Sequence, residues 1–161
     1  MITADHLRKI LSYDATTGIF LWRISPRLGA IYPGDRAGTR HHNGYTLIKI
    51  NKKKYIASRL AWLYITGKWP HGQMDHINGN RSDDRLSNIR DVSALLNAQN
   101  RRIPWKSKEL KVVGVYRHRD KYRALIRANG KQRHLGIFIT KEEAQTAYLE
   151  AKRKFHAGCT I

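Results

Sequence analysis

The sequence predicts an α+β protein in two parts. An N-terminal run of strands and helix ends in a strand, loop, strand and helix, and a three-stranded antiparallel sheet with one helix follows. Three observations carry that prediction. Short apolar runs of strand length, at residues 19–22, 45–50 and 55–57, alternate with stretches rich in Gly, Pro and Asn. Residues 112–138 fall into three strand-like segments, the last two joined by Asn129-Gly130, a hairpin-turn dipeptide. Thr140-Lys141-Glu142-Glu143 then supplies the capping box of a closing helix.

Leu7, Ile10 and Leu11 have the i, i+3, i+4 spacing of a short amphipathic helix, which meets a turn at residues 13–18. Residues 19–22 read as a buried strand and 26–38, with Gly29, Pro33, Gly34 and Gly38, as loop. Residues 45–50 and 55–57 flank a polar Asn51-Lys52-Lys53-Lys54 turn, whose lysines suit phosphate contact or a merely solvated tip. Ser58 can cap a helix holding Leu60, Ala61, Trp62, Leu63, Tyr64 and Ile65 and ending at Gly67. Asn78-Gly79 signals a tight turn directly after Asp75-His76, which puts His76 at a strand end. Leu86 and Ile89 bury a second short element. Ser93 can cap a helix running through Arg101, with Leu95, Leu96 and Ala98 facing inward.

Charge points to the partner. Lys plus Arg number 31 against 12 Asp plus Glu, a net charge of +19 with a pI near 10.5, the footprint of a protein that meets phosphate backbones. The excess is spread along the chain, +8 in residues 1–100 and +11 in 101–161. The apolar runs are too short to span a bilayer, so no membrane partner is expected. The N-terminus lacks the charged start and apolar core of a signal peptide, so the expected location is cytoplasmic. Cys159 is the single cysteine, which leaves no disulfide framework and no thiolate zinc site.

Asp, His and Asn concentrate between residues 74 and 100. A strand, loop and strand backed by a helix can bring Asp75, His76, Asn88 and Asn97 together. His76 and Asn88 are 12 apart, and Asn97 lies 21 beyond His76. The Asp75-His76 pair, the Asn78-Gly79-Asn80 turn, Ser87-Asn88-Ile89-Arg90 and the helical asparagines resemble the HNH endonuclease family, in the phage and intron-encoded branch. That resemblance covers roughly residues 45–101. It implies a ββα-metal core over about 72–101 holding one divalent cation, Mg²⁺ before Mn²⁺. On it, Asp75 and Asn97 are the oxygen ligands, His76 the general base toward water, and Asn88 the residue that holds His76 by a hydrogen bond. The implied products carry a 5′ phosphate and a 3′ hydroxyl.

The residue types suit the chemistry, because a phosphodiester already carries a negative charge that several carboxylates would repel. One Asp, neutral amides and a cation would not. Asn100 is a second candidate ligand. Two positions depart from the family pattern: Asp84 stands where Asn is common, a change expected to touch only the loop, and Ser58 stands where His commonly precedes Arg-Leu-Ala-Trp.

Arg101-Arg102-Ile103-Pro104-Trp105-Lys106 reads as a basic, Pro-broken linker suited to a phosphate backbone. Beyond it, alternation places Tyr122, Ala124 and Ile126 on one sheet face with Leu135 and Ile137. Arg123, Leu125 and Arg127 share the other with Gln132 and His134. Ala144, Ala147, Tyr148, Ala151 and Phe155 form a narrow stripe on the last helix that can lie on the apolar face. Gly114-Val115-Tyr116-Arg117, residues 122–127 and His134-Leu135-Gly136-Ile137-Phe138, with the helix, resemble an AP2 DNA-binding domain over almost all of 110–157. That resemblance implies a sheet in the major groove read by Arg123, Arg127, Gln132 and His134, with Tyr116 and His118 where arginines are common. Arg117, Arg119, Lys121 and Arg133, with Arg101 and Arg102, are expected at phosphates.

The resulting expectation is a nuclease domain at 1–103, a basic linker at 104–111 and an AP2-like domain at 112–161. Together they make a Mg²⁺-dependent endonuclease that nicks or cuts double-stranded DNA, of homing or phage type. The competing reading is an AP2-type DNA-binding regulator with a structural or inactive HNH motif. RNA binding is a third, since net charge does not distinguish duplex types.

Overall fold

Thr3 accepts from the His6 amide and opens the first helix, α1 (Ala4–Ile10), whose Ala4, Leu7 and Ile10 are buried. The computed structural model describes residues 1–26, 30–101, 110 and 112–160. These divide into two units, Met1–Val92 and Ser93–Ile161.

In the first unit, Leu11 does not extend α1 but starts a strand. β1 (Leu11–Asp14) pairs antiparallel with β2 (Ile19–Trp22), so the turn expected from residue 13 begins only after Asp14. Asp14 explains the shape of that turn. Its carboxylate accepts from the Thr16 amide and from the Thr16 and Thr17 hydroxyls, which hold its pKa down at about 2. A second sheet has β4 (Thr46–Ile50) between β3 (Thr39–Arg40) and β5 (Lys53–Ile56). The β4–β5 turn is tighter than expected. Asn51 and Lys52 take positive φ of 48° and 66°, and Lys53 and Lys54 are strand residues.

Helix α2 (Ala57–Thr66) buries Ala57, Ser58, Leu60, Ala61 and Leu63 and ends at Gly67 in the left-handed region. The cap expected at Ser58 is not there. Ile56 occupies the N-cap, and Ser58 lies inside the first turn, fully buried, its hydroxyl without a hydrogen-bond partner among the described residues. The apolar faces of α1, α2, β1, β2 and β4 form one core around Leu7, Leu11, Phe20, Ile48 and Leu60. Ile89 belongs to it as well. Full burial of each such side chain contributes about 1.5–3 kcal/mol.

The second unit begins with α3 (Ala94–Gln99), capped by Ser93 as expected but ending before Arg101. None of its residues is buried, and Leu95, expected inward, is 69% exposed. Ala98 is exposed too. Its C-terminal end is closed by this unit's own tail, with the Gly158 amide donating to the Gln99 side chain and the Thr160 hydroxyl to Asn100. The sheet follows as β8 (Val115–His118), β9 (Lys121–Ala128) and β10 (Lys131–Phe138), all antiparallel. Helix α4 (Lys141–Phe155) has the full capping box and packs Ala144, Tyr148 and Ala151 with Val115, Ala124 and Ile126.

A bulge corrects one strand assignment. The β9–β10 register jumps between His134 and Gly136, so beyond it Gly136 faces Ala124 and Ile137 faces Arg123. Ile137 therefore lies on the arginine face, 46% exposed, and Phe138 takes the core side opposite Tyr122. Leu135, skipped by the register, still packs against the core.

Candidate active site

Strands β6 (Gln73–His76) and β7 (Ile89–Val92) form an antiparallel ribbon in which Asp75 faces Arg90 and His76 faces Ile89. Asp75 and His76 are thus the last two residues of β6, adjacent at the end of the ribbon. Both are buried, Asp75 to 5% exposure and His76 to 4%. The ribbon starts at a turn fixed by Asp91, whose carboxylate accepts from the His71 and Gly72 amides at 2.7 and 2.8 Å.

Asp75 meets a counter-charge across the ribbon. Arg90 donates to its Oδ2 from Nε at 2.9 Å and from Nη2 at 2.8 Å. Such a bond to a buried carboxylate is charge-assisted and fixes the side chain's orientation.

His76 is held by Asp84. Its Nε2 lies 3.0 Å from Asp84 Oδ1, and both side chains are 3% exposed. An ionised carboxylate can only accept, so Nε2 donates and, in the neutral ring, Nδ1 keeps its lone pair. The change to Asp at position 84 therefore reaches the histidine rather than the loop alone, which corrects the sequence-based expectation.

Asn88, buried to 6% exposure, has a different task from the one expected. Its Oδ1 accepts from the Asn78 amide at 2.9 Å and its Nδ2 donates to the Asp83 carbonyl at 2.7 Å. It therefore ties both ends of the 78–83 loop. Inside the loop, Gly79 has φ 75°, and its amide donates to the His76 carbonyl at 2.8 Å, the tight turn that Asn78-Gly79 signals. Asp83 accepts from Arg85 at 2.7 and 2.6 Å and from Asn78 at 2.7 Å. Those bonds, Arg85 first, hold its pKa at about 2. Because the folded value is depressed, the loop tie is complete above about pH 4 and is lost only as pH falls toward 2.

The β1–β2 hairpin braces this region. The Tyr13 hydroxyl donates to the Asp84 carbonyl at 2.8 Å, and the Leu86 amide donates to the Ala15 carbonyl at 3.1 Å. Burial first, and then the charge of Asp84, push the Tyr13 hydroxyl well above its ordinary range, so it remains a donor. Gly18, at φ 74°, approaches so closely that a Cβ there would lie 2.5 Å from the Arg85 nitrogen. Gly18→Ala is expected to destabilise the chain by about 1–3 kcal/mol and so to lower its melting temperature. Thermal melts check it. An unchanged melt would remove the brace.

Asn97 lies on α3, half-buried, its amide donating to the Ser93 carbonyl at 3.0 Å, and is described with the second unit. Asn100, the alternative ligand, is buried with its side-chain oxygen engaged by Thr160. Among the described residues no group of three or more His, Cys, Asp or Glu is placed to hold a metal ion. The Asp75 carboxylate, oriented by Arg90, is a hard oxygen donor, which fits a cation of the Mg²⁺ type better than a soft one.

Of the expected DNA readers, Tyr116, Arg123, Arg127, Gln132 and His134 share one face. The register pairs Tyr116 and Ile137 with Arg123, His134 with Leu125, and Gln132 with Arg127. His118 pairs with Lys121 on that face. Arg117 pairs with Tyr122 on the helix side, and Arg119 sits in the β8–β9 turn at φ 54°. Arg133 lies over the Phe155 ring at 4.7 Å. Arg101 is exposed, its carbonyl accepting from buried Lys152 at 2.6 Å. Arg102 lies outside the described residues, as does all of the linker except Leu110.

The buried histidine, the Asx-rich loop and the short antiparallel ribbon all fall within one stretch of chain. Residues 55–99 match the HNH endonuclease family. The HNH segment thus runs from β5 through α3 and includes Asp75, His76, Asn88 and Asn97. An HNH endonuclease segment points to nuclease activity on DNA, and HNH nucleases generally use a divalent metal. No curated protein and no solved structure matches the chain. Among the described residues no helix is long and apolar enough to cross a membrane.

Asp84 and Arg90 are the members of the site that sequence reasoning missed. Arg90 could have been found by pairing β6 with β7 in register. Asp84 reaches His76 only through the folding back of a loop.

Proposed function

We propose that the chain is a metal-dependent endonuclease that hydrolyses phosphodiester bonds in double-stranded DNA, of homing or phage type. One observation carries the reading: a histidine buried at a strand end, oriented by a carboxylate at 3.0 Å, inside the segment that matches HNH endonucleases. His76 takes a proton at Nδ1 from the attacking water. The water oxygen bonds to phosphorus as the bond to the 3′ oxygen breaks, and the leaving 3′ oxygen takes up a proton from solvent, giving a 5′ phosphate and a 3′ hydroxyl. Asp84 keeps the ring in the tautomer that can accept, and Asn88 keeps the loop closed around it. Asp75 would hold Mg²⁺ or Mn²⁺, with Asn97 the second ligand that the resemblance to HNH endonucleases implies. When bound, the cation offsets the charge on the scissile phosphate and the leaving oxygen.

The test is nicking of supercoiled plasmid with Mg²⁺, with Mn²⁺ and with EDTA. Nicking that needs the cation supports the assignment. A folded chain that binds duplex DNA and never nicks it with either cation would leave the regulator reading instead.

In this proposal residues 1–103 form the nuclease domain, 104–111 the basic linker and 112–161 an AP2-like reader of duplex DNA. The support for the reader is one sheet face carrying Arg123, Arg127, Gln132 and His134, opposite the face covered by α4. Arg127→Ala is expected to weaken duplex binding about tenfold or to relax site choice, the scale of one charge-assisted base contact, without altering metal dependence. Equal gel-shift affinity and equal site preference for variant and parent would withdraw Arg127 as a reader.

A further inference from the structure

Three arginines lie in the loop and strand that follow His76, and two of them are neutralised. Arg85 is bonded to Asp83 and Arg90 to Asp75. Among the described residues Arg81 has no carboxylate partner. Its Nη1 donates to the Asn43 carbonyl at 3.1 Å, and its guanidinium lies over the Tyr45 ring, 5.1 Å from the centroid. The Tyr45 ring in turn lies 5.9 Å from the His76 ring, centroid to centroid. The β3–β4 turn that carries Asn43, Gly44 and Tyr45 therefore holds an uncompensated positive charge one aromatic ring away from His76.

The orientation is specific. With Nη1 on Asn43, the Nε and Nη2 hydrogens make no hydrogen bond within the described chain, and that edge of a guanidinium presents two parallel donors matched to two phosphate oxygens. An exposed arginine is ordinarily a solvated, mobile cation whose ordering offsets what it gains on binding. Here the aromatic face and the carbonyl have already restricted it.

We propose that Arg81, seated on Tyr45, is a phosphate-binding residue that grips the backbone of the DNA strand lying against His76. The inference rests on the nuclease reading of His76 and adds to it a residue that touches the substrate. Arg81 holds the strand while His76 acts on water, so its loss weakens binding and catalytic efficiency without removing the base.

The experiment is a salt titration of duplex binding by the full chain in EDTA, beside nicking kinetics in Mg²⁺. Arg81→Gln is expected to flatten the plot of log affinity against log salt by about 0.9, the signature of one lost phosphate contact. Its kcat/KM should fall about tenfold, a loss on the scale of one charge-assisted hydrogen bond. Arg81→Lys should keep the salt slope and regain only part of kcat/KM, because the charge remains and the two-donor edge does not. Tyr45→Leu should leave the slope unchanged and weaken affinity, since the charge persists without its seat. An unchanged slope in Arg81→Gln, with an unchanged melt, overturns the proposal whether or not the parent chain nicks. A flattened slope in a chain that never nicks retains the phosphate contact and removes the nuclease reading.

Discussion

His76→Gln is expected to bind duplex DNA like the parent and to nick plasmid about 10²–10⁴-fold more slowly, the range contributed by a positioned general base. Gln is the informative replacement because its carboxamide can still donate to Asp84. His76→Ala removes the base equally well but leaves the Asp84 carboxylate, 3% exposed, facing a void. An unpaired buried charge of that kind costs about 1–3 kcal/mol or more, so loss of activity in the Ala variant could reflect unfolding. Both variants are therefore read with thermal melts and gel shifts. A folded, DNA-binding His76→Gln chain that nicks at the parental rate would remove the general-base assignment.

Asp84→Ala is expected to slow nicking about 10–100-fold, the usual loss when the partner that orients a functional histidine is removed. The buried Nε2–H loses its acceptor, and the ring can turn or exchange tautomers. The variant should also lose about 1–3 kcal/mol of stability. Asp84→Asn separates the two effects, because its carboxamide oxygen can accept from Nε2 and should restore most of the rate. Nitrogen chemical shifts of His76 report the tautomer directly. They should show Nε2–H in the parent and in Asp84→Asn, and a mixture in Asp84→Ala. If Asp84→Ala nicks at the parental rate with an unchanged histidine signature, the pair at 3.0 Å is a packing contact only.

Features set by near neighbours in the chain were legible beforehand. The Asn78-Gly79 turn, the Ser93 cap, the Thr140 capping box and the Gly67 stop are each decided within four residues, and each forms as expected. The same locality explains Asp75 and His76 at the end of a strand. Misreadings arose where a local rule met a tertiary constraint. Ser58 has the composition of a cap, yet the core claims its position and the chain enters α2 through Ile56. Ile137 obeys strict alternation until the bulge at Leu135 inverts the remaining strand, and a bulge has no dependable sequence signal.

By itself, then, the sequence determined the α+β class, a basic protein suited to a phosphate polymer, and the cluster that matches HNH endonucleases. These depend on composition and short-range spacing. Only the tertiary structure decided which side chain serves which. Asp84 reaches His76 because the loop tied by Asn88 turns back on β6, and Asn88 is consumed in making that tie. Arg81 is seated on Tyr45, whose ring neighbours His76, because a turn some forty residues earlier supplies that seat. Contacts of that kind depend on how a loop closes in space, which residue spacing along a strand or helix does not encode.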